Sequence, residues 1–184
     1  RQYVDGSAFH LYGGDINDLS ELKNTHPDKN LYFTEQWVGA PGDLYGDLRW
    51  HIRNLIIGAS RNWCKTIIEW NLASDENQKP HTEGGCSSCL GAITISENSV
   101  QRNTAYYVIA HASKFVPPGS VRLYSSSSST LPNVSFLTPE KKIVTVVLND
   151  SNSKINFNII LDGKDMHSSL NAGAVGTFIL DIKN

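Results

Sequence analysis

Apolar and polar positions along the chain change rhythm near residue 116. Before that point, short apolar runs alternate with helical stretches. Residues 3–10 (Tyr-Val-Asp-Gly-Ser-Ala-Phe-His) read as a buried strand, 16–24 as a short helix after Gly13-Gly14, and 30–35 as a second strand. From 44 to 60, Leu44, Leu48, Ile52, Leu55, Ile56 and Ala59 keep the spacing of one helix face. Residues 65–70 read as a third strand, and 99–114 as a helix ended by Pro117-Pro118-Gly119. Strand and helix alternating three times is the pattern of parallel βα units. The segment 71–98 reads as a long loop, and loops of that length are usually functional or disordered.

After residue 116 the helical spacing stops. Segments 120–125, 134–138, 142–148, 155–161 and 174–182 are short, rich in β-branched residues and separated by turn residues. Ile155, Phe157, Ile159 and Leu161 alternate with Asn156, Asn158 and Ile160, the period of a half-buried antiparallel strand. This half reads as a β-sandwich, and the serine run 125–129 as a turn or linker.

Composition narrows the partners. A net charge of -2 over 184 residues argues against nucleic acid and against a polybasic membrane contact. No apolar run approaches the roughly 20 residues that span a bilayer. The chain begins at Arg1 with neither an initiator Met nor a leader pattern, so a segment upstream is expected. Three cysteines are too few for a disulfide scaffold or a closed zinc site. Cys86 and Cys89 form a C-x-x-C among glycines and serines. That setting suits a loop-closing disulfide and leaves reduced structural thiols, or redox or metal chemistry, as alternatives.

Three βα units leave a sheet with open edges, and a complete (β/α)8 barrel needs about 250 residues. The first half is therefore either a small open α/β sheet or the last three βα units of a barrel whose first five lie upstream. In such folds reactive groups gather at the carboxyl ends of the strands. Here those ends carry His10-Leu11-Tyr12, Glu35-Gln36-Trp37 and Glu69-Trp70-Asn71. Singly, each has an ordinary structural reading. Together they supply a carboxylate, tryptophan faces and hydroxyl-binding groups, the furniture of a sugar site.

The segments Phe33-Thr34-Glu35-Gln36-Trp37-Val38-Gly39, Glu69-Trp70-Asn71-Leu72-Ala73 and His111-Ala112-Ser113-Lys114-Phe115-Val116-Pro117-Pro118-Gly119-Ser120 resemble glycoside hydrolase family 30. That family includes glucosylceramidases and endo-β-1,6-glucanases, and the resemblance runs collinearly from about Tyr3 to the C-terminus. It implies an α/β plus all-β chain: residues 1–115 as the C-terminal portion of a (β/α)8 TIM barrel, and 116–184 as an antiparallel β-sandwich. It implies Glu35 as the nucleophile of a retaining mechanism, at the end of the seventh barrel strand. Tyr12 would hold that carboxylate charged and oriented, and His10 would line the same pocket. Trp70 would wall the sugar site, Asn71 would offer a polar contact, and Trp37 would lie at the rim.

The family's acid/base lies in an Asn-Glu pair at the end of the fourth strand, and nothing here corresponds to it. Asp15, Glu69, Asp75 and Glu83 are not expected to replace it; Glu69 alternates away from Trp70 and reads as a supporting group. The chain alone is therefore expected to be inactive. Residues 81–91, with Cys86 and Cys89, resemble the β-1,6-glucanase branch more than the animal glucosylceramidases. The implied substrate is a β-glucan or β-glucoside, and the implied setting is secreted or periplasmic in a microbe. Displacement at an acetal carbon needs two carboxylates and no cofactor or metal. Two other readings use the same residues: a module that binds glycan without cleaving it, and a free-standing remnant that assembles with its own copies.

Overall fold

Three short parallel strands build the sheet of the first half in a computed structural model, which describes residues 2–126 and 128–182. The chain divides into two units, Arg1–Ala110 and His111–Asn184. In the first, β1 (Gly6–His10) leads through α1 (Asp18–Thr25) to β2 (Asn30–Glu35), followed at once by the two-residue β3 (Val38–Gly39). Helix α2 (Leu44–His51) runs without a break into a π-helical stretch, Ile52–Ala59, before β4 (Cys64–Ile67). Strands β1, β2 and β4 lie side by side in that order, all parallel.

Local chemistry explains these elements. The backbone N–H of Tyr45 donates to the Asp43 carboxylate at 3.1 Å, and Asp43 N–H donates to Asp47 at 2.7 Å, a reciprocal cap that starts α2. The π stretch turns Ile52, Leu55, Ile56, Ile57 and Ala59 inward. Leu55 and Ala59 close over Leu31 and Phe33 of β2, joined by Ile16 and Leu19 from the α1 side. Each fully buried Leu or Phe contributes roughly 1.5–3 kcal/mol. Gly6 is required where β1 meets β2, because a Cβ there would stand 2.2 Å from the Asn30 carbonyl oxygen.

Several expectations change. The 3–10 strand is shorter, Gly6–His10, and largely exposed rather than buried: β2 covers one edge, and nothing in the described chain pairs with the other. The third strand proper ends at Ile67, but the chain keeps to the side of β2, Ile68 N–H donating to Phe33 O at 3.0 Å although its side chain is exposed. The expected loop 71–98 contains β5 (Ala73–Ser74), β6 (Cys89–Leu90) and β7 (Ile93–Ile95). Residues 100–102 are not helical. They form β8 (Val100–Arg102), antiparallel to β7 across a turn in which Ser96 N–H donates to Ser99 O at 3.0 Å. Only then does α3 (Thr104–Ser113) begin.

The second unit has β9 (Val121–Leu123), β10 (Asn133–Leu137), β11 (Lys142–Leu148), β12 (Ile155–Leu161), β13 (Lys164–Leu170) and β14 (Val175–Asp181). One antiparallel sheet has the order β14-β11-β10-β9; β12 and β13 form a second. Phe157 of the second sheet meets Phe178 of the first edge-on, ring centroids 5.6 Å apart. The alternation expected in 155–161 is present, Ile155, Phe157, Ile159 and Leu161 being half-buried between exposed neighbours. Strand β13 goes beyond the sequence expectation. Its hairpin turns at Asp162-Gly163, both with positive φ (48° and 74°), as a two-residue turn of that hand demands. Of the serine run 125–129, Ser127 lies outside the described residues. No helix among the described residues is long and apolar enough to cross a membrane.

Candidate active site

Parallel pairing brings the carboxyl ends of β1 and β2 together, and a one-residue slip in register decides which side chains meet there. Phe9 pairs with Phe33, but His10 pairs with Glu35, so Thr34 is skipped. Such a bulge re-aims the side chains beyond it. As a result His10 Nδ1 lies 3.4 Å from Glu35 Oε1. Tyr12, just past the strand, donates its hydroxyl to the same Oε1 at 2.9 Å. The rings of His10 and Tyr12 meet edge-on at 5.6 Å, so each steadies the other beside the carboxylate.

The Glu35 side chain is about one-third exposed, accessible yet held. Burial of the hydroxyl end, with the hydrogen bond and charge of Glu35, pushes the Tyr12 phenol up to about 12. It is thus a proton donor throughout the neutral range. A phenol donating to a carboxylate stabilises the charged form, the state in which a carboxylate can attack carbon.

Gln36, named at the strand end without a role of its own, ties this end of the sheet. Its buried side chain donates to the Leu11 carbonyl at 3.0 Å, while its Oε1 accepts the Trp37 N–H at 3.0 Å. Trp37 and Trp70 form a parallel backbone bridge, and Trp70 N–H donates to Gln36 O at 2.7 Å. Trp70 is 49% exposed, leaving its indole available as a face. The Trp37 ring instead lies over Gly39, where an added Cβ would come within 3.1 Å of it. The Asn71 amide oxygen is buried and has no hydrogen-bond partner.

The long segment after Trp70 returns to this region. Strand β6 pairs antiparallel with β3, three residues beyond Glu35, and Ala40 N–H donates to Ser88 O at 2.8 Å. Cys86 and Cys89 are joined by a disulfide within the same segment, and Cys89 packs in the buried part of the unit.

The other carboxylates have separate tasks. Asp15 accepts the Asn17 N–H at 2.9 Å ahead of α1. Asp75 accepts the N–H groups of Lys79 and Asn77, both at 2.8 Å, and these bonds hold its carboxyl below the usual range. Glu69 is buried and faces His51 of α2, Oε1 to Nδ1 at 3.1 Å. Cys64, the remaining cysteine, has its thiol pushed up to about 12 by burial, so it is a poor nucleophile. Among the described residues no cluster of His, Cys, Asp or Glu has the arrangement of a metal site.

Comparison with known proteins follows this geometry. Residues 119–178 match the glycosyl hydrolase family 30 beta sandwich domain. The chain is 30% identical over 190 residues to endo-1,6-beta-D-glucanase neg1 of Aspergillus fumigatus, covering 97% of this chain and 38% of that protein. It is 27% identical over 174 residues to lysosomal acid glucosylceramidase of Mus musculus, covering 86% of this chain and 33% of the relative. Among solved structures, the endo-beta1,6-glucanase BT3312 superposes with a TM-score of 0.91 at 30% identity, covering 98% of this chain and 42% of that one. SrfJ from Salmonella typhimurium gives 0.90 at 26% identity, covering 99% and 42%. The chain thus spans about two-fifths of the length of these glucanases.

Proposed function

Since the chain belongs to glycoside hydrolase family 30, we propose that it is the C-terminal part of a retaining β-glycoside hydrolase acting on β-linked glucose. Residues 1–115 complete a (β/α)8 barrel and 116–184 form its sandwich. The observation that carries the reading is the carboxylate of Glu35 at a strand end, held by Tyr12 and flanked by His10.

Glu35 is the nucleophile. One of its oxygens attacks the anomeric carbon, the glycosidic carbon–oxygen bond breaks, and the leaving oxygen takes a proton from an acid outside this chain. Water then gives a proton to that same group outside this chain and attacks the same carbon, breaking the glycosyl–Glu35 ester, freeing the Glu35 carboxylate and yielding the retained sugar. Tyr12 stabilises the carboxylate before attack, and His10 borders the same oxygen. The half-exposed Trp70 offers an apolar sugar face a stacking surface, with Trp37 beside it along the backbone bridge and Asn71 as a polar neighbour.

The substrate class is a β-1,6-glucan or a β-glucoside of the glucosylceramide type. Relatives named for both activities support that range, and the 81–91 segment favours the glucan. A disulfide in that segment supports an extracytoplasmic setting, secreted or periplasmic in a microbe.

Trapping tests the assignment. In the full-length protein, a 2-deoxy-2-fluoro-β-glucoside with a good leaving group is expected to label Glu35 covalently, read by peptide mass spectrometry. Glu35→Gln is expected to lose turnover by on the order of 10⁴-fold or more while keeping the fold. A label on another carboxylate, or near-wild-type turnover by the variant, removes Glu35 from the role.

A further inference from the structure

The row Glu69-Trp70-Asn71 alternates in an unusual way. A half-exposed indole stands between a carboxylate 3% exposed and an amide whose oxygen is buried without a partner. Strand β4 has already ended at Ile67, and Ile68 is exposed, so Glu69 is the side chain that reaches inward between the strand and Trp70. What it meets is His51, itself only 5% exposed, on the last α-helical residue before α2 changes to π winding. The two side chains meet as a close polar contact only: neither Glu69 oxygen nor His51 Nδ1 makes a hydrogen bond.

Stability does not account for this arrangement. A buried ionisable pair costs desolvation on both sides, and apolar side chains of similar volume generally serve the fold as well or better. A pair with no supporting hydrogen bonds is a poor staple. Its value lies in attachment: a carboxylate and an imidazole 3.1 Å apart join two points of the chain that an apolar contact leaves free to slide.

We infer that Glu69 and His51 are positioning residues for Trp70. This rests on the functional reading above and deepens it. The pair ties the chain just before Trp70 to helix α2, while the Trp70 N–H is tied to Gln36 O next to Glu35. The indole is thereby held from two sides, by the helix beneath and by the nucleophile strand beside it. Neither Glu69 nor His51 touches substrate; each acts through the tryptophan face that meets the sugar. π-helical turns are frequent at functional sites, and here the change of winding starts directly after the residue that receives Glu69.

A double-mutant cycle in the full-length protein tests this. Wild type, Glu69→Gln, Trp70→Ala and the double variant are assayed on 4-nitrophenyl β-glucoside, with Tm recorded for each. Glu69→Gln is expected to raise KM about tenfold with kcat within about threefold, and to change KM less than about twofold when Trp70 is already Ala. Independent, multiplying effects on KM would make Glu69 an ordinary fold residue and overturn the inference. An unchanged KM in Glu69→Gln overturns it equally. Unchanged KM in Trp70→Ala would remove the stacking surface itself, and with it both the functional reading of Trp70 and the inference built on it. His51→Gln enters the same cycle from the other partner, and the same non-additivity is expected. If neither Glu69→Gln nor His51→Gln yields folded protein, the pair serves stability and the inference falls.

Discussion

Strand β11 is buried at six of its seven positions, whereas β1 has no fully buried residue. That contrast runs through the molecule. The sandwich unit pairs β11 on both sides, with β10 and β14, and fills its interior with Val134, Val144, Val146 and Leu148. Where polar groups enter, they are answered: fully buried Asn149 donates to the carbonyls of Ser153, Leu170 and Asn171, and Ser135 bonds Thr145 at 2.9 Å. The first unit buries its apolar residues mainly on β2 and the helical stretch, with Phe33, Ile52 and Leu55 fully buried, and leaves polar groups, some without hydrogen-bond partners, at its strand ends. Buried polar groups with partners make a scaffold; unpartnered ones beside exposed aromatics make a site.

The contrast can be broken from the scaffold side first. Leu148→Ala is expected to lower the unfolding free energy by about 2–5 kcal/mol, measured by denaturant titration, because it empties a fully buried position. A loss well under that range would mean the sandwich closes over the void left at Leu148. From the site side, Tyr12→Phe removes one hydrogen bond to a carboxylate, worth about 1.5–3 kcal/mol in such pairs. In the full-length enzyme that is expected as a drop of about 10–100-fold in kcat/KM, with Tm nearly unchanged because Tyr12 is 56% exposed. A large fall in Tm instead would make Tyr12 a fold residue.

Asn149→Ala sharpens the scaffold reading, since it leaves buried carbonyls without donors. A cost of about 1–3 kcal/mol in denaturant unfolding is expected. The smallest effect is a pH dependence. Burial holds His111 below its ordinary value of 6.5. The unfolded chain therefore takes up a proton more readily, so stability falls as the pH drops below 6.5 and levels off beneath the folded value. His111 Nδ1 is 2.9 Å from Thr177 Oγ1; His111→Gln is expected to flatten that slope, read from unfolding curves across the acid range. A slope unchanged in the variant would assign it to other groups.

Much of this was legible in the chain because its periods are strong. The strand 30–35 has the bounds its pattern predicts, and Ile52, Leu55, Ile56 and Ala59 of the 44–60 face are buried, whereas Leu44 at its start is exposed and the winding from Ile52 is π rather than α. What escaped the sequence has physical reasons. The 3–10 run looks buried because Val4, Ala8 and Phe9 are apolar, but only Phe9 packs on the core, while Val4 and Ala8 are exposed. Strand β13, Lys-Asp-Met-His-Ser-Ser-Leu, lacks β-branched residues; the Asp162-Gly163 turn was the available signal. The strand ends pointed to Glu35, His10 and Tyr12, yet the skipped Thr34 that sets His10 against Glu35 is a matter of register, invisible in one strand alone. Glu69 was readable as facing away from Trp70. Its partner His51, eighteen positions earlier on a helix, was not.

That skipped residue separates two kinds of sequence change. Below the slip, Gly6 to Phe9 keep step with Asn30 to Phe33, and substitutions there act on packing. Beyond it, His10 and Glu35 keep a phase of their own. Deleting Thr34 would remove the extra residue, restore even pairing and turn the carboxylate to the other face of the strand, away from the Tyr12 hydroxyl. The sheet thus carries an escapement: the lower part can drift in side-chain size over many substitutions, while a single notch above it keeps the time of the chemistry.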